Sequence, residues 1–392
     1  MSRTRQTVGR IAAGAIAAAT AAALLGACGS TSKATTSSGD STASKAGVAT
    51  AKKDIAALQD PITSWPKESA LSKPVDLTGK TVMLLPLGDN IPVIHGNVVG
   101  ATEALEHLGA TAKMCDGKFN PTTVADCLKQ AADQKDYAVV SFFIDYAMAG
   151  NAFDNAVKSG VKVLVADEAP SGGKTNSADL AFYDNTTRVD KLYELTSEAA
   201  LADDGTDANV LWLRLMDSST TQGSSQAGVD KFKELCPTCG LATADFTTAN
   251  LDKLPSAVSA ALVSHPDTNT VIVPVDTFVP AALQGIQSAG FGQKVKVISS
   301  SSDLAGLQRV QAGQQSHDLG TSVVYEGYKT VNALLQMLAG EEVQKGDVIV
   351  TRDFTKDNIG ELKLSQAAYY TPDWFGDDSF KDMFYKAWGV GQ

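Results

Sequence analysis

The chain has 392 residues, of which 44% are apolar and 20% are charged, with 33 Gly and 13 Pro. This composition excludes a fibrous or wholly disordered protein, and the length predicts two lobes, each with a core of its own. Acidic residues outnumber basic residues by 44 to 33, so the net charge is −11. We expect no nucleic-acid partner, because phosphate binding needs a clustered positive surface.

Residues 1–27 have the layout of an export signal. Arg3, Arg5 and Arg10 precede an Ala-rich apolar run over residues 11–26, and small residues precede Cys28. The run is short for a bilayer span of about 20 residues, so a plain membrane anchor is the less favoured alternative. Removal of this segment takes three Arg with it and lowers the net charge from −11 to −14.

The residues Leu25, Gly26, Ala27 and Cys28 resemble the cleavage box of bacterial lipoprotein precursors. In that family the chain is cut before the Cys and the thiol is acylated. The resemblance implies a diacylglyceryl group on Cys28 and attachment to the cell membrane. Ser and Thr then fill half of residues 29–50. Such a segment has too little apolar surface to offset the entropy of ordering, and we expect residues 28–77 to form a flexible tether behind the lipid.

Four further Cys form two pairs that are close in sequence. With Cys28 acylated, an even number remains in an oxidising compartment, and we expect Cys115 to bond Cys127 and Cys236 to bond Cys239. A redox motif or half of a zinc site is the alternative for the second pair. No second Cys-x-x-Cys and no His cluster accompanies it, so we expect neither a metal nor another cofactor.

From residue 81 onward, apolar runs of strand length alternate with segments of helical periodicity. The pattern predicts strands at 81–87, 110–114, 138–143, 161–165, 209–215, 241–244, 270–275, 295–299 and 320–324. Helices are predicted between them at about 98–108, 122–132, 149–158, 225–235, 254–263, 279–288 and 326–338. Strands without alternation are covered on both faces, as in parallel sheets. The expected fold class is therefore α/β, with two doubly wound parallel-sheet lobes joined by a hinge.

The order of these elements resembles that of the type I periplasmic solute-binding proteins, in particular the ribose-type sugar cluster of ATP-driven ABC importers. The matching stretches are 92–109, 142–145, 163–167 and 273–290. The resemblance covers residues 81–338 and implies a hinge that the chain crosses three times. Lobe 1 is then formed by residues 78–166 and 320–350, and lobe 2 by 167–319. Residues 351–392 are expected to be a C-terminal extension that packs on the lobes.

Candidate ligand contacts come from residues just after each strand, because the carboxyl ends of strands in an open α/β sheet face a crevice. Phe142 and Phe143 alternate along a strand, so one of the two rings is expected in the core. Asp145 and Asp276 have the alternative role of helix caps. The candidates from the first lobe and its return segment are Asp89, Asn90, Phe143, Asp145 and Tyr325. Those from the second lobe are Asp167, Met216, Asp217, Gln222, Asp276, Phe278 and Ser301.

Three departures from the sugar-binding pattern put a hydroxyl-rich ligand in doubt. Val93 and Ile94 occupy positions where these sugar binders commonly have aromatics. Four Ser at 299–302 replace a Gly-aromatic-Asp, and the Arg expected near 222–226 is missing. A less hydroxylated solute, a nucleoside-like ring and a small apolar metabolite remain open.

Enzyme signatures are poor. Ser64 and Lys67 have a Ser-x-x-Lys spacing without its companion motifs, and residues 172–175 lack the first Gly of a phosphate loop. We expect no catalytic residue, and an exported hydrolase is the least favoured class. The expected function is that of a monomeric, lipid-anchored extracytoplasmic protein that closes on a sugar or sugar-like molecule and delivers it to an ABC permease. A ligand sensor for a membrane signalling partner and a binder of a non-sugar metabolite are the alternatives.

Overall fold

The computed structural model describes residues 38–346 and 350–390. The expected export signal at 1–27 and the lipidation site at Cys28 lie outside the described residues. The described chain forms two α/β lobes around two parallel-dominated sheets. Among its helices, none combines the length and the apolar character that crossing a membrane requires.

The described chain begins with a helix, α1 (Ser38–Ala56), that packs on lobe 2. Val48, Ala51 and Ile55 are buried in the lobe 2 core. The prediction of a flexible tether over 28–77 is therefore wrong for this part of it. The high Ser and Thr content concealed three apolar residues that recur at helical spacing and form a narrow stripe.

Lobe 1 contains a five-stranded parallel sheet in the order β2-β1-β3-β4-β5. Its strands are β1 (Thr81–Pro86), β2 (Thr111–Met114), β3 (Ala138–Phe142), β4 (Lys162–Ala166) and β5 (Leu180–Tyr183). Its helices are α2 (Pro92–His107), α3 (Pro121–Gln134) and α4 (Gly150–Lys158). The short strand β5 was not predicted. The first crossover to lobe 2 consequently follows Tyr183, and the predicted lobe boundary at residue 166 lies one strand too early.

Lobe 2 contains a six-stranded sheet in the order β11-β10-β9-β8-β6-β7, in which only β11 is antiparallel within the described residues. Its strands are β6 (Asn209–Leu215), β7 (Gly240–Phe246), β8 (Thr270–Val273), β9 (Lys296–Ser300), β10 (His317–Gly320) and β11 (Arg352–Phe354). Its helices are α5 (Thr186–Asp204), α6 (Ser219–Leu235), α7 (Leu254–Ser264), α8 (Val279–Ser288) and α9 (Leu304–Ala312).

One helix and one strand position of lobe 2 were not predicted because they bury charged side chains. Helix α5 buries Arg188 and Glu198, and these charges interrupt its apolar periodicity. Strand β10 begins with His317 and Asp318, both buried, so the strand predicted at 320–324 is displaced by three residues. Helix α9 was not predicted either, although its buried Leu307 and Val310 are apolar. Buried polar residues that are satisfied by ion pairs are invisible to a hydrophobicity pattern.

The chain returns to lobe 1 in α10 (Val323–Ala339), which packs on α2. The two helices touch backbone to backbone. A Cβ on Gly327 would lie 2.4 Å from the Ala101 nitrogen, and one on Gly100 would lie 2.4 Å from the Val324 oxygen. Only glycine permits so close an approach at these two positions.

The C-terminal extension contributes to both lobes. Its first part is β11, which joins the edge of the lobe 2 sheet. The remainder, with α11 (Gln366–Tyr369) and α12 (Ser379–Trp388), packs on lobe 1. There Phe380 and Trp388 lie against Tyr328, with ring centroids 5.4 and 5.9 Å apart respectively.

Two disulfides link Cys115 to Cys127 and Cys236 to Cys239. Both predicted pairings are confirmed. The first ties the loop after β2 to α3, and the second closes the end of α6, where Ser44 of α1 contacts Thr238 at 2.8 Å between hydroxyl oxygens.

Candidate ligand-binding cleft

A cavity of about 230 Å³ lies between the lobes, where the carboxyl ends of their parallel strands face each other. Apolar side chains form most of its wall. Lobe 1 contributes Leu87, Ile91, Val93, Ile94, Phe119, Phe143, Asp145, Met148 and Glu168. Lobe 2 contributes Val189, Tyr193, Leu215, Asp217, Ser218, Thr220, Thr221, Thr248, Val275 and Phe278. A molecule held here contacts both lobes at once.

Two aromatic rings of lobe 1 are held by left-handed backbone. Phe143 directly follows β3 at φ 57°, and Phe119 lies in the loop after β2 at φ 52°. Such a conformation costs a non-glycine residue of order 1–3 kcal/mol and persists where the surroundings enforce it. Gly88 makes room for the second ring, because a Cβ there would lie 1.9 Å from a Phe119 ring carbon. The packing around the two residues therefore holds their backbone in this conformation, with both rings at the cavity wall.

Lobe 2 contributes two aromatic rings to the cavity wall, one from a helix and one from a strand end. Tyr193 lies on α5 and packs against Trp212 with centroids 5.6 Å apart. Phe278 follows β8 and meets Phe246 edge-on at 5.1 Å. Each of these rings is held by an aromatic neighbour, which leaves little freedom for rearrangement.

Three carboxylates give the cavity its charge. Asp145 accepts hydrogen bonds from the Ala147 amide at 2.8 Å and from the Ser171 hydroxyl. Asp217 accepts from the Thr248 amide at 2.9 Å. Each of these two carboxylates is thereby oriented by its own lobe.

Glu168 is the most buried of the three carboxylates, with 3% of its surface exposed. The Thr220 hydroxyl at the beginning of α6 donates to its Oε2. Burial raises the pKa of Glu168 to about 7, and the neighbouring carboxylate of Asp145 adds to the rise. Near neutral pH this side chain therefore changes charge.

Four of the twelve predicted contacts line the cavity: Phe143, Asp145, Asp217 and Phe278. Phe142, the neighbour of Phe143, is fully buried in the core, so the alternation of the two rings is as expected. Asp145 also caps the turn that follows β3. It therefore has the alternative role of a cap and also lines the cavity. Ligand contact by these four residues remains a prediction.

Asp276 does not line the cavity. It is fully buried inside lobe 2, where it accepts from the Ser299 hydroxyl and from the Asp303 amide at 2.9 Å. The Arg309 guanidinium lies 3.4 Å from the same carboxylate. The Asp that ends this strand is therefore part of a buried polar network.

Three further candidates belong to the hinge and the core. Asp167 pairs with Arg188, with 3.6 Å between Oδ1 and Nη2. Tyr325 packs its ring 4.7 Å from that of Trp65 and is fully buried. Ser301 is buried after β9 at φ 107°, and its amide donates to the Leu319 carbonyl at 2.9 Å.

The last four candidates do not line the cavity. Asp89 accepts from His95 Nδ1 at 2.7 Å, and Asn90 beside it is exposed. Gln222 donates to the Met216 carbonyl at 3.2 Å, and Met216 itself lines a surface depression on lobe 2. These four residues follow strand ends, but none of them is a lining residue of the cavity.

Several lining residues were not predicted. Glu168 directly follows the predicted Asp167, so the strand-end rule could have found it. Thr220 and Thr221 lie in the first turn of α6, which begins earlier than the periodicity indicated. Tyr193 and Val189 lie on α5, a helix without an apolar signature, and no sequence signal marks them.

Two α/β lobes between which the chain crosses repeatedly, with a cavity at their facing strand ends, form the scaffold of a protein that binds a small molecule between its lobes. Residues 83–342 match the family model described as the periplasmic binding protein domain, and the chain belongs to this family. The fold is that of a type I periplasmic binding protein, as the resemblance implied. The family is one of periplasmic binding proteins, which act outside the cytoplasm and bind solutes without catalysis. Several solved neighbours of the same fold are named as solute-binding proteins of ABC transporters.

Three solved structures of the same fold illustrate the similarity. The 5-methylthioribose transporter solute-binding protein of Thermotoga lettingae is 15% identical, with a TM-score of 0.62 over 80% of this chain and 99% of that one. The periplasmic ribose ABC transporter protein of Conexibacter woesei is also 15% identical, with a TM-score of 0.62 over 76% and 99%. The Caulobacter myo-inositol binding protein is 19% identical, with a TM-score of 0.60 over 74% and 98%. No curated protein sequence matches the chain.

Proposed function

We propose that this protein is anchored outside the cytoplasm by a lipid on Cys28, captures a small solute between its lobes as a monomer, and presents the closed form to an ABC import permease. The observation that carries the proposal is the cavity of about 230 Å³ to which both lobes contribute rings and carboxylates. A solute that contacts both lobes favours closure by its greater affinity for the closed state.

The solved neighbours were crystallised with, or named for, 5-methylthioribose, ribose and myo-inositol. A sugar or sugar-like solute is therefore the first class to consider. The mainly apolar wall favours a solute with few hydroxyl groups, since each buried hydroxyl needs a hydrogen-bond partner. The non-sugar alternative is supported by the same observation.

Thermal-shift and calorimetric screening of sugars, polyols, nucleosides and aromatic acids tests solute capture. Small-angle scattering of the protein with any hit tests closure. We expect a hit to raise the melting temperature and to shrink the scattering radius. A hit that binds without shrinking the radius contradicts closure.

Two variants test whether the solute binds in the cavity. Phe143→Ala and Met148→Ala each remove a lining side chain. Phe143→Ala is expected to weaken binding at least about tenfold, in line with the roughly 1.5–3 kcal/mol of a buried side chain, and Met148→Ala to weaken it less, because Met148 is 36% exposed. Met114→Ala is the matched control, because Met114 is 47% exposed and lies on β2, away from the cavity. Equal affinities of the Met148 and Met114 variants contradict the placement.

The lipid anchor has its own test. Mass spectrometry of the protein from membranes is expected to find a diacylglyceryl group on Cys28, and Cys28→Ala is expected to release the protein from the membrane fraction. Retention of the variant in that fraction contradicts the anchor.

A further inference from the structure

The cavity between the lobes carries negative charge and no positive charge. Asp145, Glu168 and Asp217 are its charged lining residues, and no Lys, Arg or His of the described chain lines it. The remaining polar groups of the wall are hydroxyls of Ser, Thr and Tyr. A carboxylate, phosphate or sulfonate ligand would meet repulsion without a compensating partner.

A buried cation that is the chain neighbour of the lining residue Val189 is paired with other groups. Arg188 pairs with Asp167, at 3.6 Å, and with Glu326, at 3.4 Å between Nε and Oε2. One guanidinium therefore already faces two carboxylates. It cannot balance the three carboxylates of the cavity as well.

Tyr193 supplies an independent indication of a ligand. Only 3% of its surface is exposed, it lines the cavity, and its phenolic oxygen has no hydrogen-bond partner among the described residues. The oxygen is not among the fully buried unpartnered atoms of the described chain, so it is accessible from the cavity that the residue lines. A polar ligand atom in the cavity could therefore form a hydrogen bond with this oxygen.

The aromatic rings around these groups suit a positive charge. Phe119 and Phe143 approach from lobe 1, and Phe278 and Tyr193 from lobe 2. The face of an aromatic ring attracts a cation by about 0.5–2 kcal/mol, depending on desolvation. An ammonium group also donates hydrogen bonds to carboxylates, and these charge-assisted bonds are stronger than neutral ones.

We propose that the ligand of this cavity is a small organic cation, an amine on an apolar body, whose nitrogen lies among Asp145, Glu168 and Asp217 and whose body lies between the aromatic rings. The inference rests on the proposed function, since it concerns the same cavity, and it replaces the sugar with a different class of solute.

The groups that face Glu168 determine the expected pH dependence. They are Thr220 and Ser218 at the beginning of α6, Asp145 after β3, and Asp167 beside it in the chain. Hydroxyls and further carboxylates thus surround it. An amine binds the ionised form of Glu168, so its affinity is expected to rise as the pH is raised from about 6 to about 8.

Isothermal titration of the protein with three isosteric probes tests the proposal: phenethylamine, phenethyl alcohol and phenylacetate. We expect phenethylamine to bind at least about tenfold more tightly than phenethyl alcohol, as a charge-assisted hydrogen bond allows, and phenylacetate not to bind. Equal affinities of the amine and the alcohol, or tighter binding of the anion, overturn the proposal.

Glu168→Gln is expected to lower the affinity for phenethylamine at least about tenfold at pH 8 and to remove its pH dependence. Asp145→Asn is a second variant, at a position that is less buried than Glu168. The melting temperature of each variant without ligand shows whether the variant is folded. Glu106→Gln, on the exposed end of α2, is the matched control and is expected to bind as the parent does. An unchanged affinity in both cavity variants overturns the proposal.

Parallel titrations with ribose, 5-methylthioribose and myo-inositol distinguish the proposal of solute capture from the proposal of a cationic ligand. Tight binding of one of these sugars with no binding of the amine overturns the cationic ligand and leaves solute capture intact. Absence of binding by every probe, together with an unchanged scattering radius, overturns both.

Discussion

Arg188 and Glu326 lie 3.4 Å apart, Nε to Oε2, although 138 residues separate them in the chain. Each follows a crossover between the lobes: Arg188 lies in the first turn of α5, and Glu326 in the first turn of α10. Asp167 completes the group from the end of β4. All three side chains are at most 5% exposed, so the hinge encloses one cation between two carboxylates.

Removal of the hinge cation is expected to cost much stability. Arg188→Met leaves Asp167 and Glu326 buried without a counter-charge, and breaking a buried pair in this way costs about 3–5 kcal/mol. Urea unfolding monitored by fluorescence measures the change. Arg214→Met is the control, because Arg214 pairs with Asp245 at the surface, where such pairs contribute about 1 kcal/mol or less. Similar losses in the two variants contradict a buried role for Arg188.

The buried His317 is expected to make the folded protein less stable at alkaline pH. Its Nδ1 lies 2.8 Å from Asp353 of β11, and its Nε2 lies 3.2 Å from Asp203 of α5. Burial alone would lower the pKa of His317, but the two carboxylates outweigh burial and raise it to about 10. A raised pKa means that the folded state holds the proton more tightly than the unfolded state, whose His titrates near 6.5.

The stabilisation by His317 is therefore complete below about pH 6.5 and is lost as the pH rises to about 10. Thermal unfolding from pH 6 to pH 10 is expected to show a falling melting temperature, and His317→Asn is expected to reduce the slope. His265→Asn, at an exposed position at the end of α7, is expected to leave the slope unchanged. A parent slope that survives in the His317 variant contradicts this account.

The contact between α2 and α10 predicts an unusual response to alanine. Gly327→Ala places a Cβ 2.4 Å from the Ala101 nitrogen, so the helices must separate, and overpacking of this kind costs about 1–3 kcal/mol. Gly223→Ala is the matched control inside α6, where nothing lies within 4 Å of the added Cβ. That variant is expected to gain about 0.5–1 kcal/mol from helix propensity. Chemical denaturation of both variants measures the difference, and equal signs contradict the packing argument.

The fold class and most strands were predictable because buried parallel strands are continuous apolar runs, as in residues 138–142. Helix α5 was not, since Arg188 and Glu198 are buried by virtue of ion pairs that only the folded chain assembles. Helix α1 was missed because its narrow stripe lies in a Ser-rich and Thr-rich segment. Sequence periodicity reports burial of apolar residues and is silent about polar residues that find partners in the fold.

The candidate site was predicted in part for a related reason. The strand-end rule placed residues at the correct edge of each sheet, but it does not determine the direction of a side chain. Phe143 turns toward the cavity on a left-handed backbone, whereas Asp276 turns into lobe 2 to meet Ser299 and Arg309. The local turn geometry that separates these two outcomes depends on contacts distant in sequence.

The segment between α1 and β1 connects lobe 2 to lobe 1 and has partners on both. Asn358, after β11, donates to the Gln59 carbonyl at 3.0 Å, and Trp65 donates to the Asp377 carbonyl at 3.1 Å. In the described part of the chain this segment, the crossovers from β5 to α5 and from β10 to α10, and the passage from β11 to the C-terminal extension make four links between the lobes. A rotation that parts the lobes must move all four links at once. Substitutions in the segment between α1 and β1 and in the C-terminal extension, neither of which lines the cavity, are therefore expected to change the motion between the lobes and to leave the cavity wall intact.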